Sequence, residues 1–358
     1  MLYSSGTTGR PKGVRVTLPD EPPESPPRRL TMLRQTFGLA EDTVLVSPGP
    51  LYHAAPGRFM MSVLRVGGTV VSFRRFDAEG TLRAIEEFRA THCVLVPTMF
   101  IRMLALPEEI RSRYDVSSLR SAVHMAAPCP IAVKEQMIDW WGPVIDEMYS
   151  GTEAVGHTII RSSEWLEHKG SVGCATTGCE IRILDENGTT LPPRERGQIY
   201  MRNGHRFEYH KDPGKTEAAY ATDGWATLGD IGYLDEDNYL YLTDRKANMI
   251  ISGGVNIYPQ EAENVLLEHP AVADVAVIGI PDPEFGEQVK AVVELKQPVG
   301  DEADMALELI GWCRSRLSRI KCPRSVDFVE SLPRNESGKL MKRLVKETYW
   351  AGRDSLIV

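Results

Sequence analysis

Between residues 43 and 150 short apolar runs alternate with longer amphipathic ones, and no feature of the chain constrains its fold more. The runs at 44–46, 69–73, 93–96, 121–125 and 144–148 have the length of buried strands. The stretches at 59–66, 78–91 and 131–141 have helical periodicity; in 78–91, Leu82, Ile85 and Phe88 fall on one side. Gly67-Gly68 closes one helix and Pro97 stops one strand. This alternation predicts an α/β layer with a parallel-type sheet. Ligands of such sheets sit outside the carboxyl ends of strands. Two turns occupy such ends, Ala126-Ala127-Pro128 and Tyr149-Ser150-Gly151-Thr152-Glu153.

Past Gly170 the pattern changes. Short β-like runs at 180–184, 197–202, 232–234 and 239–243 are separated by hairpin sequences at 185–188 and 235–238. They predict a small β-barrel subdomain over about 170–243. The charged break Asp244-Arg245-Lys246 is the strongest boundary signal, dividing 1–244 from 245–358. In the second part, β-like runs at 248–251, 272–280, 288–295 and 325–329 and helical runs at 259–268 and 305–317 predict a compact α+β unit. Residues 19–29 carry five prolines and are read as an extended, solvated insertion that is neither helix nor central strand.

A chain of 358 residues has room for two or three domains. Its net charge of −8 argues against a general nucleic-acid or anionic-membrane surface. No apolar run approaches the ~20 residues of a membrane span. The six cysteines form no Cys-x-x-Cys pair and no metal-ligand spacing, which predicts reduced thiols and a cytoplasmic protein.

Candidate chemistry begins at Tyr3-Ser4-Ser5-Gly6-Thr7-Thr8-Gly9-Arg10-Pro11-Lys12-Gly13. Glycines let backbone N–H groups approach a ligand, successive N–H groups form an anion nest, and Lys12 adds charge. A polyphosphate is the expected ligand. Pro11 before Lys12 and Gly13 after it disfavour a Walker A loop. The alternative is a polar loop joining two strands. Met1-Leu2-Tyr3 reads as the end of a buried strand feeding it. Glu153 at a strand end suits Mg²⁺ beside phosphates, Thr152 can donate to phosphate, and Tyr149 offers a flat face for a base. Asp230 can accept two ribose hydroxyls, or cap its own turn. Lys339 follows Gly338 in a turn and is either a solvated lysine or a cation for a phosphate.

In this order these segments resemble the adenylate-forming superfamily of acyl-CoA synthetases, luciferases and peptide-synthetase adenylation domains. Pro50-Leu51-Tyr52-His53, Val96-Pro97-Thr98-Met99-Phe100 and Ile250–Pro259 extend the match and bring it nearest to fatty-acid-type acyl-CoA synthetases. The resemblance implies ATP-dependent activation of a carboxylic acid, expected to be a fatty acid, to an acyl-adenylate, then transfer to coenzyme A. It assigns Ser5, Gly6, Thr7, Thr8, Gly9 and Lys12 to the triphosphate. Ala126, Ala127, Pro128, Tyr149, Ser150, Gly151 and Thr152 fall to the nucleotide, and Glu153 and Thr7 to Mg²⁺. Asp230 takes the ribose and Arg245 the ribose or a phosphate, Gly253 and Gly254 the pantetheine passage, and Lys339 the adenylation step. His53 would line the acyl and pyrophosphate side, and Asp244 would be the hinge of a mobile C-terminal domain. No Asp stands between Pro48 and Pro56 to hold an α-amine, which favours a plain acid. Gly253 stands where Ser is common, and Ala247 and Asn248 replace Lys and Asp of many fatty acyl members. The family also carries a segment before the glycine loop that supplies strands and part of the acyl pocket, so Met1 is expected to be internal to a longer protein, or the chain to be a truncated gene product. The alternatives are an acyl-AMP ligase loading a carrier protein and a nucleotide-binding fragment without turnover; a homodimer stays open.

Overall fold

The computed structural model describes residues 1–4, 12–17, 20–22, 24–335 and 339–350. The chain opens with two antiparallel strands, β1 (Leu2–Ser4) and β2 (Lys12–Val16), in register from Leu2 opposite Val14 to Ser4 opposite Lys12. β1 is an outer edge, so Met1 and Tyr3 are exposed, where a buried strand end was expected. After the prolines comes α1 (Arg28–Phe37), with Pro27 as N-cap and Gly38 in the left-handed region at its end. The helix takes in Arg28 and Arg29, because a proline just before the first turn removes no helical hydrogen bond.

The α/β layer follows as β3 (Val44–Ser47), α2 (Ala54–Arg65), β4 (Thr69–Ser72), α3 (Ala78–Glu87), β5 (His92–Leu95), α4 (Pro97–Leu104), α5 (Glu108–Arg111), β6 (Ser121–His124), α6 (Ile131–Trp141), β7 (Ile145–Ser150), β8 (His157–Ile160), α7 (Ser162–Glu167) and β9 (Cys174–Ala175). Its sheet runs β4-β3-β5-β6-β7-β8-β9, parallel as far as β7 and antiparallel at β8 and β9. Helices cover both faces. Leu33, Phe37, Phe59 and Val63 pack on one, and Leu82, Ile85, Phe100, Met103 and Met137 on the other. Burial from both sides explains the unbroken apolar runs. α3 stops at Glu87, so Phe88 is exposed and not on the packed stripe.

The next layer holds β10 (Glu180–Leu184), β11 (Gly197–Arg202), β12 (Phe207–Tyr209), α8 (Pro213–Ala218), β13 (Ala226–Leu234) and β14 (Leu240–Arg245). β10-β11-β13-β14 form one antiparallel sheet, and β1-β2-β12 a second. Val14, Ile183, Ile199, Met201, Phe207 and Leu240 share one core between them. The strands flanking the glycine loop thus belong to this layer. β13 is longer than its apolar run, and Asp230 lies within it, not in a turn.

The last unit is α+β: β15 (Ile250–Ser252), β16 (Val255–Ile257), α9 (Pro259–Leu267), β17 (Val272–Asp282), β18 (Gly286–Leu295), α10 (Glu302–Arg314), β19 (Ser325–Val329) and α11 (Lys342–Trp350). The sheet order is β16-β15-β18-β17, with β19 parallel to β18, over a core of Ile250, Leu266, Val277, Val293 and Leu309. Among the described residues no helix is long and apolar enough to cross a membrane.

Candidate active site

Asp230 and Arg245 face each other across β13 and β14, beside a bulge between Ile231 and Gly232. Arg245 Nε lies 3.1 Å from Asp230 Oδ1, and the Tyr149 phenol donates to Asp230 Oδ2 at 2.6 Å. Asp230 is only 6% exposed, so its charge depends on these partners. Burial, reinforced by Asp230, holds the Tyr149 phenol well above its ordinary range, and it stays a donor. Gly151 permits this approach of β7 to β13: a Cβ there would lie 2.6 Å from Leu228 Cδ2.

Glu153 follows the same turn. Its Oε1 accepts from the Tyr209 hydroxyl at 2.8 Å, and Lys12 Nζ stands 5.1 Å from the Tyr209 ring centre. Burial, then Lys215, lowers the Lys12 ammonium, while Glu153 opposes the shift. The last unit contributes Lys339. Burial, then Arg245, pushes its ammonium down to about 8, with Asp230 and Glu153 pulling it back up. Lys339 N–H donates to Asn335 Oδ1 at 2.9 Å and Asn335 N–H to Lys339 O at 3.0 Å, which ties its backbone to Asn335. Lys339 therefore feels Lys12, Glu153, Asp230 and Arg245, although the five span three layers and almost the whole chain.

The other expected residues sit as follows. Ser5, Gly6, Thr7, Thr8 and Gly9 lie outside the described residues. Ala126, Ala127 and Pro128 turn at the carboxyl end of β6, and Ala126 holds φ 76°, a left-handed conformation rare for a residue with a side chain. Ser150 Oγ donates to Gly156 O at 2.8 Å, which braces the turn. Thr152 O accepts from Arg58 at 3.2 Å. His53 caps the start of α2 with its ring centre 4.5 Å from that of Tyr52. Gly253 and Gly254 form the two-residue turn of the β15–β16 hairpin at φ 57° and 78°, a type I′ geometry that glycine adopts freely. Among the described residues no hydrogen bond or ion pair joins that turn to Glu153, Asp230, Arg245 or Lys339. Asp244 accepts from the N–H of Arg245 at 2.6 Å, from Asn248 Nδ2 at 3.0 Å and from the N–H of Gln260 at 2.9 Å, which ties β14 to the start of α9.

Tyr209 and Arg58 were not expected. Tyr209 shares the buried face of a short strand with Phe207, and Arg58 sits mid-helix; neither pattern carries a chemical signal. All six cysteines are free, and burial raises each thiol, so none is poised as a nucleophile.

Residues 1–208 match the family model of AMP-binding enzymes, and residues 261–339 that of the AMP-binding enzyme C-terminal domain. A feruloyl-CoA synthase of Amycolatopsis is 36% identical over 351 residues, covering 98% of this chain and 69% of that protein. A 2-succinylbenzoate–CoA ligase of Bacillus pumilus is 35% identical over 348 residues, covering 97% and 68%. The o-succinylbenzoate CoA synthetase MenE of Bacillus subtilis, in complex with ATP and magnesium ion, superposes with a TM-score of 0.82 at 32% identity, covering 96% of this chain and 69% of that one. The fold is that of the adenylate-forming superfamily. The chain belongs to its AMP-binding enzyme family, and the relatives named here are CoA ligases.

Proposed function

We propose that the protein activates a carboxylic acid with ATP and passes the acyl group to coenzyme A. One observation carries this reading: Lys339, from the last unit, is half-buried within electrostatic reach of Arg245, Asp230, Glu153 and Lys12. A carboxylate attacking an α-phosphate meets like charge, and a desolvated cation aimed at both lowers that barrier. The acid's oxygen bonds to the α-phosphorus as the bond to the β-phosphate bridging oxygen breaks, giving acyl-adenylate and pyrophosphate. Asp230 takes the ribose hydroxyls, Arg245 and Tyr149 hold Asp230, and Thr152 and Lys12 face the phosphates. Mg²⁺ fits Glu153, a hard carboxylate whose other partner is a phenol; phosphate oxygens and water would complete its shell and it would neutralise phosphate charge. The thiol of coenzyme A then attacks the acyl carbonyl and AMP leaves. Asp244 is read as the hinge between 1–244 and 245–358, its bond to Gln260 N–H being the link that rearranges. The Gly253-Gly254 turn, which no bond among the described residues joins to the Lys339 group, fits a role in the second step only. A fatty acid is the expected acid, supported by the Pro50–His53 segment and by the absence of an Asp there.

The test is AMP release by the full chain with a panel of fatty and aromatic acids, with and without coenzyme A. The expected result is acid-dependent pyrophosphate release that coenzyme A converts to AMP turnover. ATP binding by calorimetry without pyrophosphate release from any acid would leave a nucleotide binder instead.

A further inference from the structure

Lys339 stands between two ion pairs that take no part in the site itself. Before it in sequence, the Arg334 fork meets both oxygens of Asp274 on β17, with Nε 2.8 Å from Oδ2 and Nη2 2.7 Å from Oδ1. After it, Lys342 opens α11 and places Nζ 2.8 Å from Glu263 Oε1 on α9. Between the pairs, Arg334 and Leu340 form an antiparallel bridge, and Met341 N–H donates to Pro333 O at 2.8 Å.

The Lys342–Glu263 pair is the drier of the two: the Glu263 side chain is 5% exposed and that of Lys342 15%. Its carboxylate does a second job. β17 is an outer strand of its sheet, and Glu263 Oε1 also accepts the Val277 N–H from it, at 2.7 Å. One buried oxygen thus joins α9, β17 and the first residue of α11. Burial raises the Glu263 carboxyl, and Lys342 opposes the rise. A buried ion pair adds little net stability over apolar side chains of the same volume. Its attraction does fall with separation, and away from water that fall is steep, so the pair resists a slide of the helix start in a way that apolar contact does not. Lys339 lies three residues before that helix start. A misplacement of about 1 Å in a reacting group can cost about 10²-fold in rate. Among the described residues no hydrogen bond or ion pair joins Glu263 or Lys342 to Glu153, Asp230 or Arg245.

We infer that the Lys342–Glu263 pair positions Lys339 for the adenylation step. This rests on the acid-activating function proposed above, so the first measurement needs no turnover. The full chain is compared as wild type, Lys342→Arg and the double variant Lys342→Met with Glu263→Gln. The double variant leaves no buried charge unpaired and keeps an acceptor for Val277. Amide hydrogen exchange at Lys339, Leu340 and Met341 should quicken at least about fivefold in the double variant, with the amides of β18 unchanged. Unchanged exchange at 339–341, or equal quickening in β18, overturns the inference. In pyrophosphate exchange the double variant should lose about 10–100-fold in kcat with its KM for ATP held within about twofold, and thioester formation from supplied acyl-adenylate should persist. Lys342→Arg, which keeps the charge, should lose less than about threefold. Equal losses in both half-reactions, a change in KM alone, or a loss in Lys342→Arg as large as in the double variant overturns it. If the wild type exchanges no pyrophosphate with any acid while the amides at 339–341 quicken in the double variant, the pair stands as the anchor of Lys339 and the acid-activating reading falls.

Discussion

Two corners of the site treat charge in opposite ways. Around Asp230 every charge is matched: the carboxylate has Arg245 on one oxygen and Tyr149 on the other. At the cation side Lys339 and Lys12 are both depressed by burial and by other cations. The first corner is finished before a ligand arrives and can recognise a neutral group such as a ribose. The second is electrostatically incomplete, and in the function proposed above the anion that completes it is the substrate. Groups held ready in this way need no reorganisation when charge develops, which is where catalytic electrostatics is strongest.

The largest expected effect breaks the incomplete corner. Lys339→Ala should lower adenylate formation by roughly 10²–10³-fold or more, read by pyrophosphate exchange, while thioester formation from supplied acyl-adenylate is retained. Exchange at the wild-type rate would remove Lys339 from the step. In the wild type, adenylation should fall as pH rises through about 8, where Lys339 loses its proton. The same shift has a stability sign. Between about 8 and the ordinary 10.5 the unfolded chain holds a proton that the folded one lacks, so stability rises with pH across that window. Lys339→Ala should flatten that rise in urea melts.

A smaller effect is expected at the matched corner. Asp230→Asn keeps the shape and leaves Arg245 without its counter-charge; ATP affinity should fall about 10–100-fold and stability by about 1–3 kcal/mol, measured by calorimetry and urea unfolding. Equal losses of affinity at Asp230 and Lys339 would erase the contrast between the corners. The smallest effect lies outside both. Gly254→Ala has open space but φ 78°, so only backbone strain of about 1–2 kcal/mol opposes it, and adenylation should persist where coenzyme A transfer is slowed.

The sequence made the α/β layer legible because strands buried on both faces leave unbroken apolar runs. It made part of the last unit legible as well: the run at 325–329 has the bounds of β19. Non-local pairing was not legible. β2 joins β12 across almost two hundred residues, and nothing in Lys12–Val16 names that partner. Asp230 was recognised by its flanking residues, yet its place in a bulged strand opposite Arg245 depends on a register that composition does not encode. Phe88 fitted the helical stripe, but α3 had already ended. For the site, resemblance supplied the residue types and folding supplied their supports. Tyr209 lies 56 residues from Glu153, and Arg58 lies 94 from Thr152.

The pairing of β2 with β12 has a mechanical meaning. Tyr209 on β12 sits opposite Val14, so the strand that begins with Lys12 is hydrogen-bonded to the strand whose phenol grips Glu153. The small sheet works as a caliper, with the ammonium on one jaw and, on the other, the phenol that holds the carboxylate. A shear of β2 against β12 by one residue pair would reset that gap without altering either charged residue. Substitutions at the sheet's inner positions, such as Val14 and Phe207, can therefore detune the chemistry from behind.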